Sequence, residues 1–187
     1  MPSYVIREYQ DRDAASWLRC RLLSFFDTNY YDDVVTERPQ YDQPSICRVA
    51  AVDDTVVGLL DAQIHTADSA TIEVLAFHPD YVRRGIATAL VRTTETELTA
   101  RCVRTLDAWT REDVAANCWY QRCGFVEEFS YVHVHKTGAD DATGFETPTG
   151  LSEPLTAYMH APREQEAAMR ERFRRVYVCR QYLKTLQ

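Results

Sequence analysis

Apolar and polar residues alternate along several stretches of the chain with the two-residue period of a β-strand. Such stretches, together with apolar runs of strand length, cover residues 3–9, 46–52, 55–65, 71–77, 102–109, 125–135 and 173–183. Asp53 and Asp54 lie between the second and third stretches and tolerate the positive φ of a tight hairpin turn. The pattern therefore predicts about seven strands, of which the second and third form a hairpin.

Four other segments have the spacing and composition of helices. They cover residues 14–26, 85–100, 111–122 and 162–172, and Gly124 follows the third, where a helix end needs positive φ. The stretches 27–44 and 137–154 contain proline among many polar residues, and we expect loops there, with at most one short helix in the first. Because strands and helices interleave, the predicted fold class is α/β or α+β with a mixed sheet.

Length and composition limit the classes of protein. A chain of 187 residues with 45% hydrophobic content can bury a full core, so we expect a single domain over residues 1–187. No apolar run is long enough for a signal peptide or a membrane span, and we expect a cytoplasmic protein without a membrane partner. The net charge of -7 disfavours a nucleic-acid partner. Six cysteines without a C-x-x-C pair imply neither a metal site nor a disulfide framework.

The turn between the strand at 71–77 and the helix at 85–100 has the chemistry of an anion site. Its sequence is Val82-Arg83-Arg84-Gly85-Ile86-Ala87. The first N–H groups of a helix lack internal partners and carry partial positive charge, and Gly85 lets a phosphate approach them. An ordinary strand-to-helix turn with exposed arginines is the alternative. Neither G-x-x-x-x-G-K-[ST] nor G-x-G-x-x-G occurs, which disfavours nucleotide hydrolysis and hydride transfer.

Two segments resemble motifs of the GCN5-related N-acetyltransferase (GNAT) superfamily. Residues 71–90 resemble its motif A, with Gly85 and Ala87 in the pattern [Gln/Arg]-x-x-Gly-x-[Gly/Ala] and Val82 where the family has Gln or Arg. Residues 113–125 resemble the family helix Asn-x-x-Ala-x-x-x-Tyr-x-x-x-Gly-Phe, with Asp113 in place of Asn. The two motifs together cover residues 71–125 in the family's order and spacing.

The resemblance implies a fold and a co-substrate. The fold is a mixed, mostly antiparallel central sheet of about seven strands flanked by helices, whose fourth and fifth strands, here 71–77 and 103–109, splay apart. Acetyl-CoA would place its pantetheine arm between those strands and its pyrophosphate on the turn amides. The cofactor-binding residues implied are Leu75, Ala76, Phe77, Val82, Arg83, Arg84, Gly85, Ile86, Ala87, Thr88, Asp113 and Ala116.

The resemblance also implies that the amine attacks the thioester directly, without a protein nucleophile. Tyr120 aligns with the family tyrosine that protonates the departing thiolate, although it could instead be an aromatic residue of the core. Glu73 is the candidate base because it is an acidic residue among apolar ones on the strand beside the thioester. A water relay could replace it, and Glu73 could equally pair with an arginine or face solvent. Asp107 is a weaker candidate base.

The acceptor side would be lined by residues 27–41 and 129–135. Tyr30, Tyr31, Asp32 and Asp33 would form an aromatic, acidic wall suited to a cationic amine, and a solvated polar loop is the alternative. His133 and His135 alternate on one strand face that could point at the acceptor, although strand histidines are more often partly exposed surface residues.

The predicted function is N-acetyl transfer from acetyl-CoA to a primary amine of a small molecule or peptide. The alternative is a non-catalytic acyl-CoA-binding sensor or interaction module. The insertion at 137–172, before the last strand, could supply a homodimer contact or cover the acceptor pocket.

Overall fold

A computed structural model describes residues 3–187, and its eight strands form one sheet. The strands are β1 Val5–Glu8, β2 Ser45–Val52, β3 Thr55–Ile64, β4 Ser69–Phe77, β5 Thr105–Thr110, β6 Val126–Lys136, β7 Ala157–Pro162 and β8 Arg175–Thr185. Their order is β1-β2-β3-β4-β5-β8-β6-β7, and neighbours are antiparallel except for the parallel pair β4 and β5. This arrangement confirms the predicted mixed, mostly antiparallel sheet, with eight strands where about seven were expected.

Helices cover both faces of the sheet. They are α1 Ala14–Phe26, α2 Ile86–Ala100, α3 Val114–Arg122 and α4 Glu166–Arg172. One core lies beneath α1 and contains Trp17 and Leu59, while a larger core on the opposite face contains Leu90 of α2 and Leu106 of β5. Val132 and Val176 belong to a third apolar cluster, which Met169 of α4 contacts. In the described residues, no helix combines the length and apolar character needed to cross a membrane.

The strands β4 and β5 separate partway along their length. Their parallel pairing runs from Ser69 and Thr105 to Ile72 and Ala108, and no later pair joins them within residues 3–187. Both strands continue, β4 to Phe77 and β5 to Thr110. A wedge therefore opens between their carboxyl ends, as the predicted splaying requires.

A β-bulge lies where this separation begins. The β3 residues Asp61 and Ala62 pair with Val74 and Ile72 of β4, which leaves Glu73 as the extra residue. On a regular strand, residues two positions apart point to the same face of the sheet. Here Ile72 packs in the core that contains Leu90 of α2, and Val74 packs in the core beneath α1, on the other face. The bulge thus turns the end of β4 and brings Glu73 to the mouth of the wedge.

The first turn of α2 lies close to β3 because Gly58 has no side chain. A Cβ at Gly58 would overlap Cγ2 of Ile86 and lie 3.3 Å from Cδ1 of Leu90. The side chains of Ile86 and Leu90 are both buried. This close packing fixes the N-terminus of α2 beside the end of β4.

The segment 137–172 differs from its prediction. Residues Ala157–Pro162 form β7, an edge strand paired with β6 from Tyr131 and Pro162 to Lys136 and Ala157. The predicted helix begins one residue later than expected. Pro162 is extended (φ -57°, ψ 150°) and is the N-cap of a 3-10 turn at Arg163–Gln165, which continues into α4 at Glu166. Proline suits both the first turn of a helix and the end of an edge strand, so its position did not distinguish them.

Candidate active site

A cleft of about 1130 Å³ occupies the wedge between β4 and β5. We call its two ends the α2 end, formed by residues 81–88 and 113–122, and the α1 end, formed by residues 21–33 with Glu73 and Trp109. All the residues expected at the cofactor line this cleft, as do Tyr120, Glu73, Tyr30 and Asp33. Tyr31 and His133 do not line it.

At the α2 end, the backbone forms a concave group of N–H donors. Arg83 and Gly85 both have positive φ, at 60° and 75°, and Gly85 is the N-cap of α2. The first helical hydrogen bond joins the N–H of Ala89 to the carbonyl of Gly85 at 2.9 Å. The N–H groups of Ile86, Ala87 and Thr88 therefore precede the helical ladder, and no side chain caps them. Such a turn binds anions through its backbone.

Arg84 adds a hydrogen-bond donor without a partner to the α2 end. Its Nη1 is buried and has no hydrogen-bond partner among residues 3–187, while Nη2 donates weakly to the carbonyl of Asp80 at 3.4 Å. The guanidinium lies 4.6 Å from the centroid of the Tyr81 ring. A buried donor without a partner is costly, and a phosphate oxygen would satisfy it. The donor set therefore fits a pyrophosphate.

The cleft is electrostatically polarised along its length. The α2 end is lined by Arg83, Arg84 and Arg122 against a single acid, Asp113. The α1 end is lined by Asp27, Asp33 and Glu73 against a single arginine, Arg21. An anionic ligand is thus favoured at the α2 end and a cationic ligand at the α1 end.

Tyr120 lies in the wall of the cleft, on α3. Its ring stacks on Tyr182 with centroids 5.5 Å apart and contacts the edges of Phe125 and Trp119. The residue is only 6% exposed, and burial raises the pKa of the hydroxyl above its usual range. Tyr120 is therefore both a packed aromatic residue and a protonated phenol at the cleft, and its hydroxyl forms no hydrogen bond to another described residue.

Glu73 is a carboxylate without a strong partner. Its Oε1 lies 3.7 Å from Nε2 of His65, which is longer than a hydrogen bond. Burial raises its pKa, the nearby His65 opposes that rise, and the charge of Asp107 adds to it. One oxygen of Asp107 accepts a hydrogen bond from Gln181, and the other is buried without a partner in the described chain. Of the two, Glu73 alone lines the cleft.

Asp113 connects α3 to the loop that follows α1. The residue is at the N-cap of α3, but its side chain does not cap the helix. Its Oδ1 instead accepts a hydrogen bond from the backbone N–H of Asn29 at 3.0 Å. The side chain of Asp113 therefore tethers this loop to the start of α3.

The expected acidic wall at residues 30–33 is neutralised by arginines. Asp33 pairs with Arg21 at 2.9 Å, and Asp32 forms a bidentate pair with Arg175, whose hydrogen bonds lower the pKa of Asp32 to about 2. Tyr31 is 51% exposed and lies beneath the guanidinium of Arg175. Neither Asp32 nor Asp33 is thus an open partner for a cationic acceptor, because each is already paired with an arginine.

Arg111 holds the same loop and was not expected from the sequence. Its backbone N–H donates to the hydroxyl of Tyr30 at 3.0 Å, and its guanidinium lies 4.3 Å from that ring and donates to the carbonyl of Asn29. The residue is 7% exposed. It directly follows β5, but no feature of the sequence distinguishes a buried arginine from a surface one.

His133 lies behind this arginine, away from the cleft. Nε of Arg111 donates to Nδ1 of His133 at 3.2 Å, and since a guanidinium only donates, the ring proton lies on Nε2, 2.9 Å from the hydroxyl of Tyr131. Burial, followed by the charge of Arg111, lowers the pKa of His133 to about 3. His133 is neutral and does not reach an acceptor in the cleft.

Comparison with known proteins identifies the family. The sequence model of the acetyltransferase (GNAT) family matches residues 5–125, which is more than half of the chain. The chain belongs to the GNAT acetyltransferase family. The match includes α1, the splayed pair β4 and β5, and both motifs of the cleft. No curated protein matches the chain.

Solved GNAT structures have the same fold at low sequence identity. The ribosomal-protein-S18-alanine N-acetyltransferase of Escherichia coli is 15% identical, with a TM-score of 0.62 over 98% of this chain and 94% of that chain. A GNAT acetyltransferase of Elizabethkingia anophelis with acetyl-CoA bound is 11% identical, with a TM-score of 0.58 over 100% of both chains. PaiA N-acetyltransferase of Thermoplasma acidophilum, in complex with coenzyme A, is 17% identical, with a TM-score of 0.58 over 67% of this chain and 91% of that chain.

Proposed function

We propose that this GNAT protein transfers an acetyl group from acetyl-CoA to a primary amine of a small molecule or peptide. The observation that carries the proposal is the polarised cleft between β4 and β5. Its α2 end presents unpartnered donors to an anion, and its α1 end presents Glu73 to a cation. The family supports acetyl transfer as the chemistry.

The α2 end would hold the pyrophosphate of acetyl-CoA. The N–H groups of Ile86, Ala87 and Thr88 and the Nη1 of Arg84 supply the donors. The β5-facing edge of β4 would hydrogen-bond the pantetheine arm along Leu75, Ala76 and Phe77, as an added strand does. The related structures from Thermoplasma and Elizabethkingia, described with coenzyme A and acetyl-CoA, support this ligand.

In the proposed reaction, the amine nitrogen attacks the thioester carbonyl carbon and forms the new C–N bond. A backbone N–H of β4 stabilises the oxyanion, and collapse of the tetrahedral intermediate breaks the C–S bond. The phenol of Tyr120 donates its proton to the departing thiolate. Before the attack, the incoming ammonium loses one proton to Glu73 or to a water that Glu73 orients. After the attack, the nitrogen loses a second proton to solvent, Glu73 releases its proton to solvent, and Tyr120 is reprotonated from solvent. The raised pKa of Glu73 suits it to this role.

A charge-reversal pair at Gly85 tests the pyrophosphate site. Aspartate and asparagine both tolerate the positive φ of Gly85 and have nearly the same size, but only aspartate repels a phosphate. Calorimetry should show acetyl-CoA affinity at least about tenfold weaker for Gly85→Asp than for Gly85→Asn.

Gly150→Asp provides the control for this pair, because Gly150 also has positive φ (90°) but lies in an open loop away from the cleft. It should bind acetyl-CoA as the wild type does. Equal affinities of Gly85→Asp and Gly85→Asn, both folded, would contradict the proposed pyrophosphate site.

A further inference from the structure

An uncovered row of aromatic side chains begins in the cleft and continues onto the sheet surface. The aromatic row consists of Trp109 on β5 and Phe129 and Tyr131 on β6. Trp109 lies 6.2 Å from Phe129 and 5.4 Å from Tyr131 between ring centroids, and both contacts are edge-to-face. Trp109 also lines the cleft, so the row is continuous with the proposed site of acetyl transfer.

The row is built by the strand order rather than by sequence proximity. Gln181 of β8 pairs with Trp109 on one side and with Phe129 on the other. The rings therefore meet above β8, on the face opposite the core residues Leu106 and Ala108. No helix covers this part of the face in the described chain. Helix α1 packs on β3 and β4, and α4 packs on the opposite face of the sheet.

The exposed fraction of Phe129 is high for a large apolar side chain. Phe129 is 56% exposed, while Trp109 and Tyr131 are half-buried. A contiguous apolar patch of this kind marks a binding surface more often than a single exposed residue does. Three rings are too small an area for a stable interface with a second copy of the chain, which needs on the order of 800 Å² per partner.

Two carboxylates without arginine partners lie beside the row. Glu73 and Trp109 each follow the last paired residue of their strand, so they flank the mouth of the wedge. Asp107 lies two residues before Trp109 on the same strand face and keeps one buried oxygen without a partner in residues 3–187. The acids at 32 and 33, by contrast, are already paired with Arg175 and Arg21. Of these acids beside the row, only Glu73 both lines the cleft and is without an arginine partner, so a protonated amine is best accommodated at Glu73.

We propose that the acceptor is a small primary amine carrying an aromatic ring, with the ring on the aromatic row and the amine between Glu73 and the thioester. This inference rests on the proposed function and adds the substrate class. Ring stacking would hold the substrate from one side while Glu73 attracts its ammonium from the other. Phe25 and Tyr30, whose rings lie 5.6 Å apart, also line the α1 end of the cleft.

Steady-state acetylation of three amines tests the proposal. Phenethylamine has the ring and the charge, cyclohexylethylamine replaces the ring with a saturated one, and spermidine has charge without a ring. We expect phenethylamine to have the highest kcat/KM with the wild type. In Phe129→Ala its KM should rise about threefold to tenfold, while KM for spermidine stays the same.

Two further variants control for structural damage. Val126→Ala changes another exposed apolar residue of β6, 67% exposed and outside the row, and should leave every KM unchanged. Phe129→Tyr keeps the ring and should retain most of the phenethylamine affinity.

The outcomes separate this inference from the proposed function. A higher kcat/KM for spermidine than for phenethylamine, unaffected by Phe129→Ala, would overturn the aromatic acceptor and leave acetyl transfer in place. Sedimentation showing a wild-type dimer that Phe129→Ala dissociates would assign the row to a second copy and overturn it as well. Absence of turnover on all amines would instead contradict the proposed function.

Discussion

Tyr120 combines a packing role with the proposed acid role at the scale of a single residue. Phenylalanine in its place keeps the stack on Tyr182 and removes only the hydroxyl. We therefore expect Tyr120→Phe to bind acetyl-CoA as the wild type does and to lower kcat about a hundredfold, the usual contribution of a general acid. Calorimetry and steady-state kinetics measure the two effects, and unchanged kcat would remove Tyr120 from the mechanism.

Glu73 should determine the pH dependence of the reaction. Because burial raises its pKa, kcat/KM should rise with pH through a value above that of an ordinary glutamate. Glu73→Gln, which cannot accept the proton, should lower kcat/KM and remove that limb of the profile. An identical acidic limb in wild type and Glu73→Gln would assign the base to another group or to water.

The buried histidines of β6 link stability to pH. Burial lowers the pKa of His133 to about 3 and that of His135 to about 4, against 6.5 as the reference value. The unfolded chain therefore binds these protons first, so stability should fall as the pH drops below about 6.5 and continue falling to about 3.

Each of these histidines contributes up to about 1.4 kcal/mol per pH unit within its own window. Urea unfolding at a series of pH values should show a smaller slope for His133→Gln than for the wild type. An unchanged slope in that variant would show that His133 is not buried in the neutral form.

At the scale of the element, Gly58 determines how closely α2 approaches the sheet. Alanine there would overlap Ile86, and overpacking a core typically costs about 1–3 kcal/mol. Gly58→Ala should lower the free energy of unfolding by this amount and weaken acetyl-CoA binding through displacement of the α2 N-terminus. Gly138→Ala is the control, because no atom lies within 4 Å of its added Cβ. Equal stability of the two variants would contradict this account of the packing.

The sequence predicted the helices and strands whose hydrophobic periodicity agrees with the turn or capping residues at their ends. The helix at 14–26 has the predicted bounds, and the hairpin of β2 and β3 turns at Asp53, which has a φ of 51°. The strand β7 was missed because it is short, half exposed and ends in Pro162, a residue equally typical of a helix start. The alternation of apolar and polar residues reflects which face of a strand is buried, and an edge strand buries little of either face.

The site was predictable only where backbone conformation and local motif define it. Gly85 and the α2 N-terminus follow from residues adjacent in sequence. The pairs of Asp32 with Arg175 and of Arg111 with His133 join residues far apart in the chain, and the meeting of Trp109 and Phe129 depends on the insertion of β8 between β5 and β6. Such contacts depend on strand order, which local patterning does not encode.

At the scale of the whole molecule, we propose that residues 1–187 form one domain. The last strand, β8, lies between β5 and β6, so the segment after residue 136 completes the sheet instead of forming a separate unit. Thermal unfolding should therefore show one cooperative transition by circular dichroism and calorimetry, with equal calorimetric and van't Hoff enthalpies. Two separated transitions would show that the chain contains two independently unfolding units and would contradict a single domain.

The cleft is lined mainly by arginines at its α2 end and mainly by acids at its α1 end, in a chain of net charge -7. The most direct test is to quantify acetylated amine and released coenzyme A together during turnover of acetyl-CoA with a panel of primary amines. The account predicts equal amounts of both products, dependent on the amine and strongly reduced in Tyr120→Phe. Binding of acetyl-CoA without turnover on any amine, unchanged in Tyr120→Phe, would contradict it and indicate an acyl-CoA-binding module.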